Sequence, residues 1–503
     1  MTDKILFFTD LWFHNFGVAN YLQKNSDSEI YAIIDVEDRA KQFFQEQKIV
    51  NYGKVWYFMD HIKKPKIKPN VDYLKTIEEK YGINLWNLAY SDRYLHGFNP
   101  YHKFSSDEIL SLLEQECRFY EKILDEVKPD FLSIFFTIHH HQELLRQLCV
   151  ARGIKVLMLV TAPFGHYMML TQDGLIDSSN DTSSMKEEKN MTPDELKNYK
   201  KNVNFLGLSK DYIKKNFEAK SSLRYFSILR YFFASSTESY KNRYSNFGKT
   251  KQSVLRKKIQ NRLNRTKRIS FINKHFTRNI ESDPPFVYFP LHYEPERMLS
   301  ISAPFRTGQL EIIKSISKSI PIEYELYVKE HPVMNTIGWR SLSFYKELMD
   351  LPNVKLIHPS VSPDEILSKC SLTVTINGTT GLESLFFQKP TVVFNENFYS
   401  SLSSVSVVRD LNDLPEIIRT SLTKQIDIKE LNRFIQHIEN NTFFLNSTNL
   451  QADFAFRFGL KGPLQDAYLP MNEIQTFLKD YSKDFEILGK EHIKKIQELK
   501  KIS

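Results

Sequence analysis

Cysteine is scarce in this chain of 503 residues: Cys117, Cys149 and Cys370 are far apart and odd in number. A disulfide framework is excluded, as is a CxxC or Cys/His metal spacing, and a reducing cytoplasm suits the pattern. Long hydrophobic runs are missing too. No stretch of about 18 apolar residues occurs, so no membrane-crossing helix is expected. The N-terminal apolar run is short, is broken by Asp10 and lacks a small-residue cleavage site, unlike a signal peptide. Internal repeats and low-complexity tracts are absent. Acidic residues vanish locally: Lys241 to Arg278 holds thirteen Lys or Arg and no Asp or Glu, in a chain whose net charge is only +8.

What is present is ordinary for a folded protein. Hydrophobic residues make up 41% and charged residues 25%, and 38 Phe with 25 Tyr argue against disorder over most of the length. The chain is long enough for more than one domain. Strand-like runs at Lys4–Thr9, Glu29–Ile34, Phe131–Ile138 and 153–160 alternate with helical patterns at Leu85–Leu95, Ser105–Val127 and Gln142–Ala151. Such alternation predicts a parallel sheet covered on both faces. Residues 40–80 give no clear pattern, and 172–200 read as a polar loop. After Ser282-Asp-Pro-Pro285 the alternation starts again. Strands are expected at 286–290, 324–329, 354–357, 372–376 and 391–394, and helices at 308–318, 339–349, 362–369 and 380–387. Residues 412–440 and 470–500 read as helical, with a polar stretch between. The fold class is α/β, with two Rossmann-like domains facing across a cleft and additional helices.

Three strand ends of the second half carry polar clusters: His292-Tyr-Glu294, Lys329-Glu-His331-Pro332 and Asn377-Gly378-Thr379-Thr380-Gly-Leu-Glu383. Ligands of open parallel sheets bind outside the carboxyl ends of the strands. The spacing therefore predicts one rim bearing His292, Glu294, Lys329, His331, Asn377, Gly378, Thr379, Thr380 and Glu383. A Gly-containing turn into a helix with Thr hydroxyls suits an anion, and Lys329 suits a phosphate as a point charge. His331 would donate a hydrogen bond and Glu383 could take a ribose diol. Each piece alone has a structural explanation: a charged loop, a packed histidine, a carboxylate at a helix start.

In order and spacing these pieces resemble the bacterial capsule polysaccharide biosynthesis family, relatives of the Kdo transferases that build capsule linkers. The segments concerned are Pro290-Leu-His-Tyr-Glu-Pro-Glu296, Lys329-Glu-His-Pro332, Asn377-Gly-Thr-Thr-Gly-Leu-Glu383 and Gln388-Lys-Pro390. Gln388 stands where that family usually has Gly, and Asn395 where Gly often follows the next strand. The resemblance implies a GT-B glycosyltransferase, independent of metal and with no cofactor beyond its nucleotide-sugar co-substrate. It implies an acceptor domain over 1–235, a basic linker over 236–282, a nucleotide-donor domain over 283–425 and a helical region over 426–503. CMP-Kdo or a related CMP-sugar is the favoured donor, and a surface glycan or glycolipid the acceptor. A CDP-alditol phosphotransferase of teichoic-acid type shares the His-Pro and Ser/Thr-rich features. A non-catalytic polysaccharide- or lipid-binding assembly factor and a nucleotide-sugar epimerase are the other readings.

Glycosyl transfer also needs a group that accepts the acceptor's proton. In the first half Asp10 and His14 follow the first strand, and Asp92 ends a helical pattern beside Arg93. His139-His140-His141 follows a later strand, with His166 beyond the next. Asp10 ranks first and Asp92 second. Three adjacent histidines lack the spaced ligands of a zinc site, so no metal is expected. The basic segment 241–278 is either a solvated inter-domain helix or a surface for anionic lipid or polysaccharide. No recognition motif supports nucleic acid. The expected location is the cytoplasm, with peripheral attachment to the inner face of the membrane as the variant the basic segment suggests.

Overall fold

Runs of aliphatic and aromatic residues bounded by polar turns form two sheets in a computed structural model. It describes residues 2–65, 68–162, 165–174, 190–203, 241–294, 297–331, 334, 340–458 and 467–501. The first sheet contains β1 (Lys4–Thr9), β2 (Glu29–Ile34), β3 (Lys54–Tyr57), β4 (Phe131–Phe135), β5 (Lys155–Thr161), β6 (Tyr167–Thr171) and β13 (Phe443–Phe444). Its order is β13-β6-β5-β4-β1-β2-β3. Pairing is parallel from β3 to β5 and antiparallel at β6 and β13. The second sheet contains β7 (Phe286–Pro290), β8 (Glu325–Lys329), β9 (Val354–Ile357), β10 (Leu372–Thr375), β11 (Thr391–Val393) and β12 (Val405–Val407). It is parallel throughout, in the order β12-β11-β10-β7-β8-β9.

Central strands are apolar on both faces because helices cover both. In β1, Ile5 and Phe7 enter one core while Leu6 and Phe8 enter another. In β7, Val287 and Phe289 face one core, and Phe286 and Tyr288 the other. Each sheet winds outward from its first strand, β1 or β7, then reverses and continues through β4 or β10. Such a reversal leaves a crevice at the carboxyl ends, where ligands of this architecture bind. The two Rossmann-like halves expected of a GT-B-like chain are therefore present.

Several local expectations need correction. Residues 40–80 are structured, with β3 and the helices Asp38–Glu46, Phe58–His61 and Val71–Tyr81. Short apolar runs broken by Lys and Pro hid them. The polar stretch 172–200 contains a helix, Pro193–Asn202, started by a Thr192–Glu195 capping box with Pro at its first turn. Its Leu196 joins Leu382, Phe386 and Ile435 in a core of the second half. Strand β4 stops at Phe135, and the next helix starts at His140, so it takes in two of the three histidines. A further helix, Ser447–Phe458, lies in the stretch between 440 and 470. Pro295, Glu296, Pro332 and residues 335–339 lie outside the described residues, as do 175–189 of the polar stretch.

The chain ends back on the first half. Leu450, Phe454, Phe477, Phe485 and Leu488 pack into the core that holds Ile5 and Phe7. The terminal helix Ser482–Lys501 crosses the helix His14–Asn25 at two glycines: a Cβ on Gly17 would fall within the Phe485 ring, and one on Gly489 within the Tyr21 ring. Glycine inside a helix normally costs about 1 kcal/mol against alanine. Here the crossing reverses that sign. Gly489→Ala is expected to destabilise the protein by about 1–3 kcal/mol through overpacking, read as a lower urea midpoint. A rise in the midpoint would mean that the helices do not cross at this point.

Candidate active site

The reversal point of the second sheet lies between β7 and β10, with β8 next to β7. Those are the strands whose ends carry His292, Lys329 and Asn377, so the predicted rim is formed from neighbouring strands. The His292 ring is buried, and its Nε2 lies 3.2 Å from Thr375 Oγ1 and 3.4 Å from the Asn377 amide. Accepting that N–H puts the ring proton on Nδ1. A Cβ on Gly378 would sit 3.1 Å from this ring and 2.9 Å from Thr375 Oγ1, so glycine lets the loop close onto the histidine. The Gly378 amide donates to Thr375 Oγ1 at 3.2 Å. His292 thus supports the loop from beneath. The helix after the loop, Thr380–Leu385, has six residues rather than the expected eight. A dipole over so short a helix is weak, which shifts the anion-binding role toward side-chain charge.

Lys329 and Glu330 show how differently two neighbours can be treated. Glu330 is buried and satisfied: it accepts from Tyr345 Oη at 2.6 Å, from its neighbour's amide His331 N at 2.7 Å, and from Arg340 Nη1 at 2.5 Å. Arg340 also donates to the His292 carbonyl and lies 3.6 Å from Glu294, which accepts from Gln309. Lys329 is 3% exposed, and its ammonium has no hydrogen-bond or ion-pair partner among the described residues. Burial pulls it down to about 8, against the opposing pull of Glu330. Burial first, then the neighbouring Lys329, His292 and Arg340, push His331 down to about 3, so its imidazole is neutral near pH 7. Strand register puts Pro290 beside Lys329 and Thr373 beside Tyr288. Lys329 and Thr375 therefore share a face, two strand spacings or roughly 10 Å apart.

Glu383 is engaged already. Its carboxylate lies 3.1 Å from Lys200 Nζ and accepts from Thr379 Oγ1 at 3.4 Å, while Lys200 also binds Asp364. Gln388 has φ 59°. That left-handed conformation explains why glycine is the family's usual residue there. Asn395, the other departure, donates its side-chain amide to the Ser302 carbonyl at 3.1 Å.

The first sheet reverses between β1 and β4, which brings Asp10, Asp35 and His139–His141 to its rim. Asp10 is half-buried and accepts from the Trp12 amide at 2.9 Å. Burial raises it to about 6, with the Asp35 charge adding to the rise against the Trp12 hydrogen bond. Asp92 is different. Its Oδ2 receives the His140 amide at 3.0 Å, His140 Nδ1 at 2.9 Å and Tyr244 Oη at 2.9 Å, with His139 Nδ1 at 3.4 Å. Burial would raise Asp92, but the hydrogen bonds and charges of His139 and His140 outweigh it and hold the carboxyl well below its ordinary range. So held, it is a poor proton acceptor and serves to anchor His140. Its ion pair is with His140 rather than with the adjacent Arg93. His14 is interior: its ring stacks on Phe135 at 4.6 Å and Nε2 lies 2.9 Å from Ser447 Oγ. Burial pushes it down to about 3. Of the three expected proton acceptors, Asp10 alone combines a rim position with a titration near neutrality.

Behind this rim His140 sits between two carboxylates, with Nε2 3.0 Å from Glu116. Burial opposes its charge, yet Glu116 and Asp92 prevail and raise it to about 10. Glu116, His140 and His141 bring ligand atoms close together. A metal there would have to displace the proton that His140 shares with Glu116. His141 Nε2 is 3.3 Å from Asp35, which Arg243 also binds.

The two rims meet. Arg297, in the segment after β7, donates from Nε to the Thr137 carbonyl after β4 at 2.8 Å and lies over the Phe136 ring at 4.6 Å. Beside this bridge is a cavity of about 280 Å³ between the halves. Asn87, Glu143 and Arg146 line it from the first half, and Asn377, Asn395 and Asn397 from the second. Asn377 is thus the expected rim residue that also faces the cleft. Arg297, Arg340 and Glu143 escaped the sequence reading. Glu330 at least lay inside a motif that had been singled out; the others are joined to the site only by folding.

Residues 208–411 match the model of the family described as capsule polysaccharide biosynthesis protein. That segment is similar to this family. Less than half of the chain is matched, but the four motif segments fall within it, so the resemblance read from them is borne out. No curated protein matches the chain. Among solved structures, the β-Kdo 2,7-transferase KpsC of Thermosulfurimonas dismutans is similar at 13% identity and a TM-score of 0.30, over 70% of this chain and 87% of its own. The UDP-GlcNAc 2-epimerase of Methanocaldococcus jannaschii has 12% identity and a TM-score of 0.24, over 88% and 100%. That of Neisseria meningitidis, bound to UDP-GlcNAc, has 12% identity and 0.27, over 88% and 99%.

The His140 triad yields a test with a defined sign. Its folded value of about 10 lies above the ordinary 6.5, so its contribution is full below about pH 6.5 and is lost as pH rises toward 10. Stability to urea is expected to fall over that window. His140→Gln should lose about 3–5 kcal/mol by leaving buried carboxylates uncompensated, and should flatten the slope. An unchanged slope in the variant would assign the pH dependence elsewhere.

Proposed function

We propose that this protein is a glycosyltransferase of capsule polysaccharide synthesis that uses a nucleotide-activated sugar, with CMP-Kdo or a related CMP-sugar favoured. Its acceptor is a growing surface glycan or glycolipid, reached from the cytoplasmic side of the membrane. The observation that carries this reading is the buried Lys329 ammonium, without a partner among the described residues, at the reversal point of the second sheet. A buried cation without a counter-ion is costly unless a ligand supplies one. The donor phosphate is that ligand, and the family of residues 208–411 supports the process.

In the reaction the acceptor hydroxyl attacks the anomeric carbon and gives its proton to Asp10. The new carbon–oxygen bond forms as the bond from the anomeric carbon to the phosphate oxygen breaks, and the nucleotide leaves with that electron pair. Lys329 stabilises the negative charge that grows on the departing phosphate. His331, neutral near pH 7, hydrogen-bonds to it. Asn377 and the residues about Arg297 hold the sugar in the cleft, and water exclusion limits donor hydrolysis. No cofactor or metal enters these steps.

A thermal-shift panel of CMP, CDP, UDP and GDP and their sugars tests the donor, because a ligand of the folded state raises the melting temperature. A CMP-selective rise, lost in Lys329→Met and His331→Ala, is expected. No rise with any nucleotide would remove the transferase reading, and a UDP- or GDP-selective one would replace the donor. The pH profile tests the proton acceptor. Asp10 must be ionised and Lys329 protonated, so kcat/KM is expected to fall below about pH 6 and above about pH 8. Asp10→Asn should cost about 10²–10⁴-fold in kcat. A fully active variant would hand the role to another group.

A further inference from the structure

The helix Lys251–His275 takes part in neither rim. It starts in a Thr250–Ser253 capping box just after Tyr244 and Phe247, which are buried in the first half, and it ends with Ile272 and Phe276 in a core of the second. Its 25 residues carry nine Lys or Arg and no acid. The chain's net charge is +8, so this one helix accounts for all of it. Only Val254 and Ile272 are buried within the helix.

Between those anchors the surface has a pattern. Arg256, Ile259, Leu263, Lys267, Ser270 and Lys274 follow one another at intervals of three or four, so they share one face. All six are exposed. Ile259 and Leu263 are 54% and 61% exposed, at the middle of that face. Arg256 flanks them on one side, and Lys267 and Lys274 on the other. None of these three cations lies within ion-pair distance of a carboxylate among the described residues. A helix that only joined two domains would gain from Glu–Lys pairs at i, i+4. Here the helix contains no acidic residue to form such pairs, and two aliphatic side chains face water among its cations.

We propose that this face seats on an anionic lipid bilayer. Ile259 and Leu263 enter the boundary between headgroups and acyl chains, and Arg256, Lys267 and Lys274 meet the lipid phosphates. Cations around a small apolar centre are what an interfacial helix uses. A soluble polyanion would need the cations but not the aliphatic pair. Being anchored in both halves, the helix would hold the whole molecule, cleft included, against the membrane. The inference stands independently of the donor and of the chemistry proposed above.

The full chain is to be sedimented with vesicles of phosphatidylcholine alone and of phosphatidylcholine mixed with phosphatidylglycerol, at low and high salt. Binding is expected only to the mixed vesicles, and is lost at high salt. The triple variant Arg256→Ser, Lys267→Ser, Lys274→Ser should partition at least about tenfold more weakly. Ile259→Ser with Leu263→Ser should also weaken vesicle binding while leaving retention on heparin unchanged. All five positions are exposed, so melting should not shift; if the triple variant does not fold, the double variant decides. Binding to neutral and mixed vesicles alike, or wild-type binding by a folded variant, would overturn the proposal. So would release of the vesicles by DNA together with wild-type binding of the double variant, which would assign the helix to a soluble polyanion.

Discussion

Parallel strands cannot be joined by tight turns, and from this constraint most of the molecule follows. Each strand must return over a face of the sheet, so both faces are covered and the central strands are apolar throughout. Each sheet starts at its middle, at β1 or β7, and must reverse once to fill its other side. The reversal leaves an open crevice at one end of the sheet. The chain has two such crevices, and the contact between Arg297 and Thr137 turns them toward each other. A cleft that draws on both halves results from topology before any particular side chain is considered.

Within the crevices, partners decide which charges are available. Glu330 and Lys329 are adjacent and both buried, yet Tyr345, Arg340 and a backbone amide satisfy the first and nothing among the described residues satisfies the second. The same division separates Asp92 from Asp10. Three close donors lock Asp92 in its ionised form, whereas burial and a neighbouring carboxylate lift Asp10 to about 6. Satisfied charges hold loops in place, and unsatisfied ones are poised to meet a ligand. The buried His140, between Asp92 and Glu116, fixes the segment from which Thr137 reaches Arg297.

The two halves are also tied by chain crossings. The terminal helix returns to the first half across Gly17 and Gly489, and Pro193–Asn202 packs on the second half while its Lys200 reaches Glu383. The basic helix is anchored once in each half. Cleft geometry is therefore set by several distant segments, and a substitution far from the rim can reach it.

The sequence by itself determined most of the central strands, whereas β3, β6, β12 and β13 were not expected and β4 stops three residues short of Ile138. Runs such as 286–290 and 354–357 have one apolar periodicity and clear punctuation, and their observed limits are the expected ones. It determined the rim motifs too, because local spacing after a strand is enough to place His292, Lys329 and Asn377. The tertiary structure decided what each of those residues does. The engagement of Glu383 by Lys200, the supporting position of His292 and the burial of His14 all depend on partners tens to hundreds of residues away. The weak pattern of 40–80 and the short helix Pro193–Asn202 were equally illegible, since their stability comes from the surfaces they cover rather than from local propensity. Charge, too, is read locally, but whether a charge is free is a property of everything that folds around it.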